Sequence, residues 1–372
     1  MGAGQGSLEN LVSQMRPDPD FWRGKRVVLT GHTGFKGAWL ALWLHRMGAE
    51  VTGIALAPET QPSLFELADI GNLIDSHIAD IRDREAVTAL IRDARPQIVL
   101  HLAAQAIVLT GYEDPIGTFA SNAMGTAHCL DAVRGLADTK VFAAITTDKV
   151  YRNLEEKVPF RETDHLGGYD PYSASKAAAE IVISSYRDSY LREQGVAVAS
   201  ARAGNVIGGG DWSANRLIPD AVRAWGSGTT LEVRRPDAIR PWQHVLEPLA
   251  GYLRLCERLW HDPALADGYN FGPHTHEAAT VREVLGIARE AFGAGETEWG
   301  DGTQGLHEAG WLSLETAKAR RVLDVAPNWT LEQGVRRTMD WYREQLGGAP
   351  ARDLCARDIA AYEGDAAKGD AV

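Results

Sequence analysis

VVLTGHTGFKGAWL, Val27 to Leu40, leaves a short apolar run, places Gly31, Gly34 and Gly37 in close succession, and re-enters an apolar stretch. A run such as KRVVLTG (25–31), ended by a glycine, reads as a buried strand. AWLALWLHRMG (38–48) then has helical spacing and stops at Gly48. Between a strand and a helix three glycines have separate jobs. One makes the tight turn, one lets a pyrophosphate approach the backbone, and one lets the helix pack closely on the strand. The helix N-terminus adds free N–H groups and a partial positive charge for the phosphates. The spacing is G-x-x-G-x-x-G, so the motif takes its meaning from what surrounds it.

The surroundings repeat the pattern. AEVTGIALA (49–57), PQIVLHLAA (96–104) and KVFAAITT (140–147) read as strands, and REAVTALIRDA (84–94) and NAMGTAHCLDAVRGL (122–136) as helices. This alternation predicts βαβ units and a parallel sheet, continuing to GVAVASARAGNVIG (195–208). From Gly208 onward, prolines, tryptophans and shorter elements mark a smaller, more irregular lobe. The chain therefore divides into an N-terminal extension (1–20), a dinucleotide-binding domain (21–207, with later segments returning to it), a smaller lobe (mainly 208–346) and a C-terminal tail (347–372). The tail is rich in Ala, Asp and Gly and is expected to be disordered at its end.

Composition narrows the function. Of 372 residues, 45% are hydrophobic and 24% charged, with a formal net charge of −12. A uniformly acidic chain without a basic run does not bind nucleic acid through its field. An anionic substrate would need locally placed Arg, Lys or backbone N–H groups. Cys129, Cys256 and Cys355 lie far apart and match no metal-ligand spacing, so buried thiols are expected, with no disulfide framework and no metal. MGAGQGSLENLVSQM (1–15) lacks the features of a signal peptide, and no apolar run has transmembrane length. The expectation is a soluble, cytoplasmic protein.

An acidic residue at the end of the second strand would grip the adenosine ribose. VTGIALAPE (51–59) has none before Glu59, which leaves both NAD and NADP open. Lys36 and His32 either hold an extra phosphate or face solvent. Asp80 and Ile81, in ADIRD (79–83), stand where an adenine amino group could be read, although Asp80 serves equally well as a turn or cap residue.

GGYDPYSASKAAAE (167–180) places Tyr172 four residues before Lys176, on one helix face. A lysine beside a tyrosine favours the phenolate, and a phenolate can take a proton from a sugar hydroxyl while a hydride leaves the carbon. Thr147, at the end of KVFAAITT, could hydrogen-bond the same hydroxyl or cap a turn.

TGHTGFKG, HLAAQ, TTDKVY, YDPYSASK, RAGNVIGGGDW and RPWQHVLEPL together resemble the extended short-chain dehydrogenases/reductases. Within them they are similar to the CDP-glucose 4,6-dehydratase family, from about Phe21 to about Tyr362. The resemblance implies an α/β fold: a Rossmann-type doubly wound parallel sheet with a smaller α/β C-terminal nucleotide-sugar lobe. It also implies a retained NAD and a homodimer built on helices near AAAEIVISSY (177–186). Gly31, Thr33, Gly34, Phe35, Lys36 and Gly37 match the cofactor loop, Asp80 and Ile81 the adenine side, and Ala103, Ala104 and Gln105 the segment lining the cofactor. Tyr172 and Lys176 match the catalytic pair and cofactor contacts, and Thr147 the hydroxyl partner. Asp148 and Lys149 match the elimination residues. Asn205, Arg216, Arg240, Asn270 and His307 match the substrate side. The implied reaction oxidises C4, eliminates water across C5 and C6 with Asp148 as acid, and returns the hydride to C6. Lys149 either takes the C5 proton or stabilises the enolate.

Two residues depart from the family. AAQAIVLTGYEDP (103–115) has Ala106 and Leu109 where the family tends to carry Pro and Arg, and replacing Arg by Leu removes five donors and a charge. The flap LEEKVPFRETDHLGG (154–168) is another place where substrates could be distinguished. A nucleotide-sugar epimerase using the same Tyr172 and NAD is the rival reading. Asp148–Lys149 speaks against it, because elimination needs an acid at C6. A catalytically silent nucleotide sensor would be expected to lack Tyr172, Lys176 or Thr147, and all three are present.

Overall fold

The computed structural model describes residues 16–302 and 309–366. Seven strands build its main sheet: β1 (Arg26–Thr30), β2 (Glu50–Ala55), β3 (Asp75–Ile78), β4 (Ile98–His101), β5 (Val141–Ile145), β6 (Ala197–Ala203) and β7 (Gly268–Phe271). Their order is β7-β6-β5-β4-β1-β2-β3, and every pairing is parallel. The order reverses between β1 and β4, which opens a crevice at their carboxyl ends, where ligands bind in such sheets.

The central strands are buried on both faces and read as continuous apolar runs. Val27 and Leu29 of β1 pack into one core cluster, while Val28 packs with Ile54, Val99, Phe142 and Val198 into the other. Helices α1 (Phe35–Arg46), α2 (Arg84–Ala94), α3 (Gly125–Ala132), α4 (Pro171–Tyr186) and α5 (Leu246–His261) cover the two faces. Eight consecutive residues of α1, Gly37 to Leu44, are buried, so it is apolar on all sides, as a helix between other layers must be.

Beyond β6 the chain makes short pairs: Val206–Ile207 beside Gln243–His244, Thr230–Val233 beside Glu296–Trp299, and Ile239–Arg240 against Ala279–Thr280. These sit over the crevice, while β7 returns to the main sheet beside β6.

Both ends of the described chain pack on the core, while the tail's last residues, where disorder is expected, lie outside the described residues. Within the N-terminal extension, Asp18 caps a short helix, Pro19–Trp22. Trp22 is fully buried and donates to Glu257 of α5 at 2.8 Å. The tail is largely a helix, α6 (Ala351–Ala366). Its buried residues Ala351, Leu354, Cys355, Ile359 and Tyr362 form one stripe that joins the main core cluster. The small-residue composition concealed that stripe.

Candidate active site

The turn after β1 gives the three glycines different surroundings. Gly31 has φ +80°, and a β-carbon there would stand 2.7 Å from the Ala103 nitrogen. A β-carbon on Gly37 would stand 2.0 Å from the Gly31 carbonyl oxygen, so α1 docks only because Gly37 has none. Gly34 is exposed, and its β-carbon would touch only the Gly31 oxygen, at 3.4 Å. It is the N-cap of α1 and offers no side chain to the first-turn N–H groups. The loop is therefore closed underneath and open above, with free donors, and it fits a pyrophosphate.

Thr33 fixes this loop to β2 by donating to the Leu56 carbonyl at 2.8 Å, and Phe35 packs at Gly208. Ala103 donates its N–H to Thr30 at 3.1 Å, and Gln105 donates its N–H to Asn122 at 2.9 Å. Ala104 lies between them on the same half-buried turn.

His32 and Lys36 hold no extra phosphate here. The His32 ring is fully buried over Gly53, bonded to Ser76 at 2.7 Å, and burial pushes its pKa down to about 4. A neutral imidazole brings no charge to the end of β2. Lys36 turns the other way and lines a cavity with Tyr172 and Asp148, its Nζ 5.9 Å from the Tyr252 ring centroid. Burial, with Arg216 nearby, lowers its pKa to about 8. Asp80 forms a turn, accepting from the Arg82 N–H and guanidinium, each at 2.8 Å. Ile81 is buried under Gly125, so a contact from this position would come from its backbone.

The candidate reactive groups lie at the carboxyl end of β5 and the first turns of α4. Asp170 caps α4 through the Ser173 N–H at 2.9 Å, and Pro171 sits in its first turn. Tyr172 and Lys176 follow on one face. Tyr172 is 8% exposed, and burial pushes its pKa up to about 12, opposed by a hydrogen bond with Thr147 and by Arg216. The Lys176 ammonium donates to the Ile145 carbonyl at 3.3 Å. Burial, then Lys36, brings Lys176 down to about 7.

Thr147 donates to Asp148 Oδ1 at 3.0 Å, and Lys149 Nζ stands 3.7 Å from the same oxygen. Asp148 Oδ2 is buried with no hydrogen-bond partner. A β-carbon on Gly204 would lie 2.7 Å from it, so the glycine leaves that oxygen its room.

Two adjoining cavities meet at Asp148. One, of about 520 Å³, is lined by Thr147, Asp148, Tyr172 and Asn205 together with Lys36, Lys149, Arg216, Arg234, Arg235 and Arg240. Six cations outnumber the four carboxylates of the same cavity, Asp148, Asp211, Asp220 and Glu232, in a chain of net charge −12, and this local excess suits a diphosphate. The other, of about 670 Å³, shares Asp148, Lys149, Asn205, Arg216 and Arg240, and is walled by Ala106, Leu109, Leu154, Phe160 and Leu312. The two departures in the 103–115 loop thus form an apolar wall.

One expected substrate residue is excluded. Asn270 is fully buried in β7, accepting from the Tyr151 hydroxyl and donating to the Phe160 and Glu315 carbonyls. Its hydrogen bonds are spent holding the floor of the site. His307 lies outside the described residues. Glu180 has partners that sequence reasoning missed. Arg202 of β6 donates to both its carboxylate oxygens at 3.0 and 2.8 Å, and Thr146 and Ser200 add hydroxyls. Asn122 was missed as well. It sits in a π-helical turn and donates to Ser175 of α4 at 2.8 Å and to the Gln105 carbonyl at 3.0 Å. The one available signal was Glu180 itself, a charge four residues beyond Lys176 on a helix of small residues.

The model of the GDP-mannose 4,6 dehydratase family matches residues 28–338. The CDP-glucose 4,6-dehydratase of Salmonella typhimurium is 44% identical over 351 residues, covering 93% of this chain and 98% of the relative. The solved dTDP-glucose 4,6-dehydratase of Bacillus anthracis, in complex with NAD, has a TM-score of 0.71 at 22% identity, covering 86% of this chain and 96% of that one. A UDP-glucose-4-epimerase from Stenotrophomonas maltophila with bound NAD reaches 0.74 at 22% identity, covering 87% and 99%. At 22% identity these two structures speak for the fold alone.

Proposed function

This chain belongs to the GDP-mannose 4,6-dehydratase family, and we propose that it converts CDP-glucose to CDP-4-keto-6-deoxyglucose with a retained NAD. The chemistry is that of a nucleotide-sugar 4,6-dehydratase, a hydro-lyase. The choice of cytidine and of glucose is our reading, supported by the 44% identical relative.

The observation that carries the reading is Asp148. Its carboxylate is 1% exposed, opens on both cavities, keeps one oxygen without a partner, and stands beside the Thr147–Tyr172 pair. A site that only moved hydride to and from C4 would have no use for it. NAD, held by the 31–37 loop and by Tyr172 and Lys176, supplies a hydride acceptor for C4 and a hydride donor for C6. Tyr172 takes the C4 hydroxyl proton, and Thr147 orients that hydroxyl. The resulting ketone acidifies the C5 hydrogen. Lys149 is the cation next to Asp148, where the C5 proton or the enolate oxygen must be met. Asp148 protonates the departing C6 hydroxyl. Arg216, Arg240 and Asn205 hold the diphosphate.

We assign the enzyme to the cytoplasm, whose reducing conditions suit three buried free thiols. We also assign it a homodimer through α4 and the segment before α3. Ile116, Met124 and Ile181 are 79%, 53% and 61% exposed there.

Mass spectrometry tests the reading, with CDP-glucose run beside its UDP, GDP and dTDP analogues. Loss of one water from the CDP sugar alone is expected. An isomer of unchanged mass would mean epimerisation and would remove the role given to Asp148. No change with any of the four would reject glucose and turn attention to the wall at Ala106 and Leu109. Asp148→Asn is expected to keep C4 oxidation and slow the elimination by about 10²–10⁴-fold.

A further inference from the structure

Nothing assigned so far meets the nucleotide base. Its place follows from the two cavities, which share Asp148, Lys149, Asn205, Arg216 and Arg240. Beyond these residues the smaller cavity alone runs into the second lobe, where Leu217, Pro219 and Val281 give it apolar walls and Glu232 gives it a carboxylate. With the sugar at Tyr172 and Asp148 and the diphosphate at Arg216 and Arg240, the base comes to this end. A flat ring between apolar walls is oriented by the few polar groups at its edge.

Of the four carboxylates on that cavity, three are committed. Asp148 stands at the reacting end, beside Thr147 and Lys149. Asp211 accepts from the Ser213 N–H at 3.1 Å and pairs with Arg216 at 3.5 Å. Asp220 pairs with Arg223. Glu232 is exposed and makes no hydrogen bond or ion pair among the described residues. It lies on the strand Thr230–Val233, whose Leu231 and Val233 point into the main core cluster. The alternation of a strand therefore turns Glu232 to the opposite face, with Arg234 next along it, and Arg234 lines both cavities. The register also sets Glu232 opposite Glu298 of the paired strand, itself exposed. Like charges opposite one another destabilise a strand pair. A carboxylate that weakens its own strand, contacts nothing in the fold and lines a cavity suited to a diphosphate needs a donor on the ligand.

We propose that Glu232 reads the base, accepting from the 4-amino group of cytosine, and so selects cytidine over uridine and thymidine. The proposal rests on the cytidine reading of the substrate. Cytosine carries an amino donor at C4, where thymine and uracil carry a carbonyl oxygen. An ionised carboxylate only accepts, so it attracts the amino group and repels the carbonyl. Guanine also offers donors to a carboxylate, at N1 and N2, which makes the guanosine nucleotide the competitor that tests the assignment to cytosine.

The test is the affinity of the NAD-loaded protein for CDP, UDP, dTDP and GDP, measured by titration calorimetry, with Glu232→Gln and Glu232→Ala beside the unaltered chain. CDP and UDP carry the same ribose and diphosphate, so the general effect of removing a negative charge cancels in their ratio. The unaltered protein is expected to bind CDP about 10-fold or more tighter than UDP. Glutamine has a carbonyl for an amino group and an amide N–H for a carbonyl, so Glu232→Gln should bind the two nearly equally, a fall in the ratio of about 10- to 100-fold. Glu232→Ala should lose the preference as well. A ratio that both substitutions leave unchanged overturns the role of Glu232 while the cytidine reading stands. Equal affinity of the unaltered protein for CDP and UDP, or tighter binding of GDP than of CDP, overturns both. Mass spectrometry of CDP-glucose incubated with the same protein keeps the chemistry separate. A CDP-selective protein that removes no water rejects the dehydration and leaves Glu232 as the reader of cytosine.

Discussion

A β-carbon on Gly37 would overlap the Gly31 carbonyl oxygen, a backbone atom that cannot rotate away. Gly37→Ala is therefore expected to cost about 3 kcal/mol or more, because α1 must lift from the turn. Gly34→Ala meets nothing closer than 3.4 Å and has an ordinary φ of −77°. It should leave stability within about 0.5 kcal/mol. Its methyl group would nevertheless enter the open side of the loop, where the pyrophosphate must approach. Urea unfolding and the nicotinamide content of the purified variants separate the two effects. A Gly34→Ala protein that retains its full cofactor would mean that the phosphates do not pass over this residue. All three glycines were visible as a motif. What the sequence could not divide was the labour among them, since that depends on Ala103 and on the docked helix, both remote from the loop's own pattern.

Helix α4 carries Tyr172 and Lys176, and its placement is fixed at both ends of one face. Asp170 caps it, and Glu180 ties it to β6 through Arg202. That ion pair is almost wholly buried, with side chains 8% and 4% exposed, and Thr146, just before Thr147, is hydrogen-bonded to the same carboxylate. Removing one partner leaves a buried charge. Arg202→Met should cost about 3–5 kcal/mol, and Glu180→Gln combined with it should cost less than the sum of the single changes. Additive effects in a denaturant double-mutant cycle would refute this coupling. Tyr172 and Lys176 were legible because the i, i+4 spacing is local. Arg202 was not, because it sits in AVASARA, a run that reads as uniformly apolar, and its partner is 22 residues away. Asn270 failed for a related reason. A polar residue in a strand looks available until the groups around it are known, and here Tyr151, Phe160 and Glu315 use its amide. The edge strand β3, DSHI, is mostly polar and only partly buried, so it lacks the apolar run that revealed its neighbours.

Across the whole molecule, one buried carboxylate ties the C-terminal helix to α5 and to the Asn328–Trp329 segment, beside the apolar stripe that packs into the main core. Glu247 of α5 accepts from the Asn328 and Trp329 N–H groups at 3.0 and 2.7 Å, and from the Tyr362 hydroxyl of α6 at 2.9 Å. Burial raises its pKa from 4.5 to about 7, against the pull of those three donors. The folded protein therefore binds a proton here that the unfolded chain gives up near pH 4.5. Stability from this proton is fully present below pH 4.5 and is lost as the pH rises through 7. The loss is on the order of 3 kcal/mol, from about 1.4 kcal/mol per pKa unit. Other buried groups also titrate, among them His32 and His101, whose lowered pKa values act on the acid side. A comparison with Glu247→Gln cancels them. The amide adds a constant offset from its altered hydrogen bonds but does not titrate. The stability of the parent relative to Glu247→Gln should therefore decline between pH 4.5 and about 8 and be flat beyond it. Parallel curves in chemical denaturation across that range would mean that Glu247 stays ionised in the fold. Its three donors would then outweigh its burial, and the Tyr362 contact of α6 would be made to a charge at every working pH.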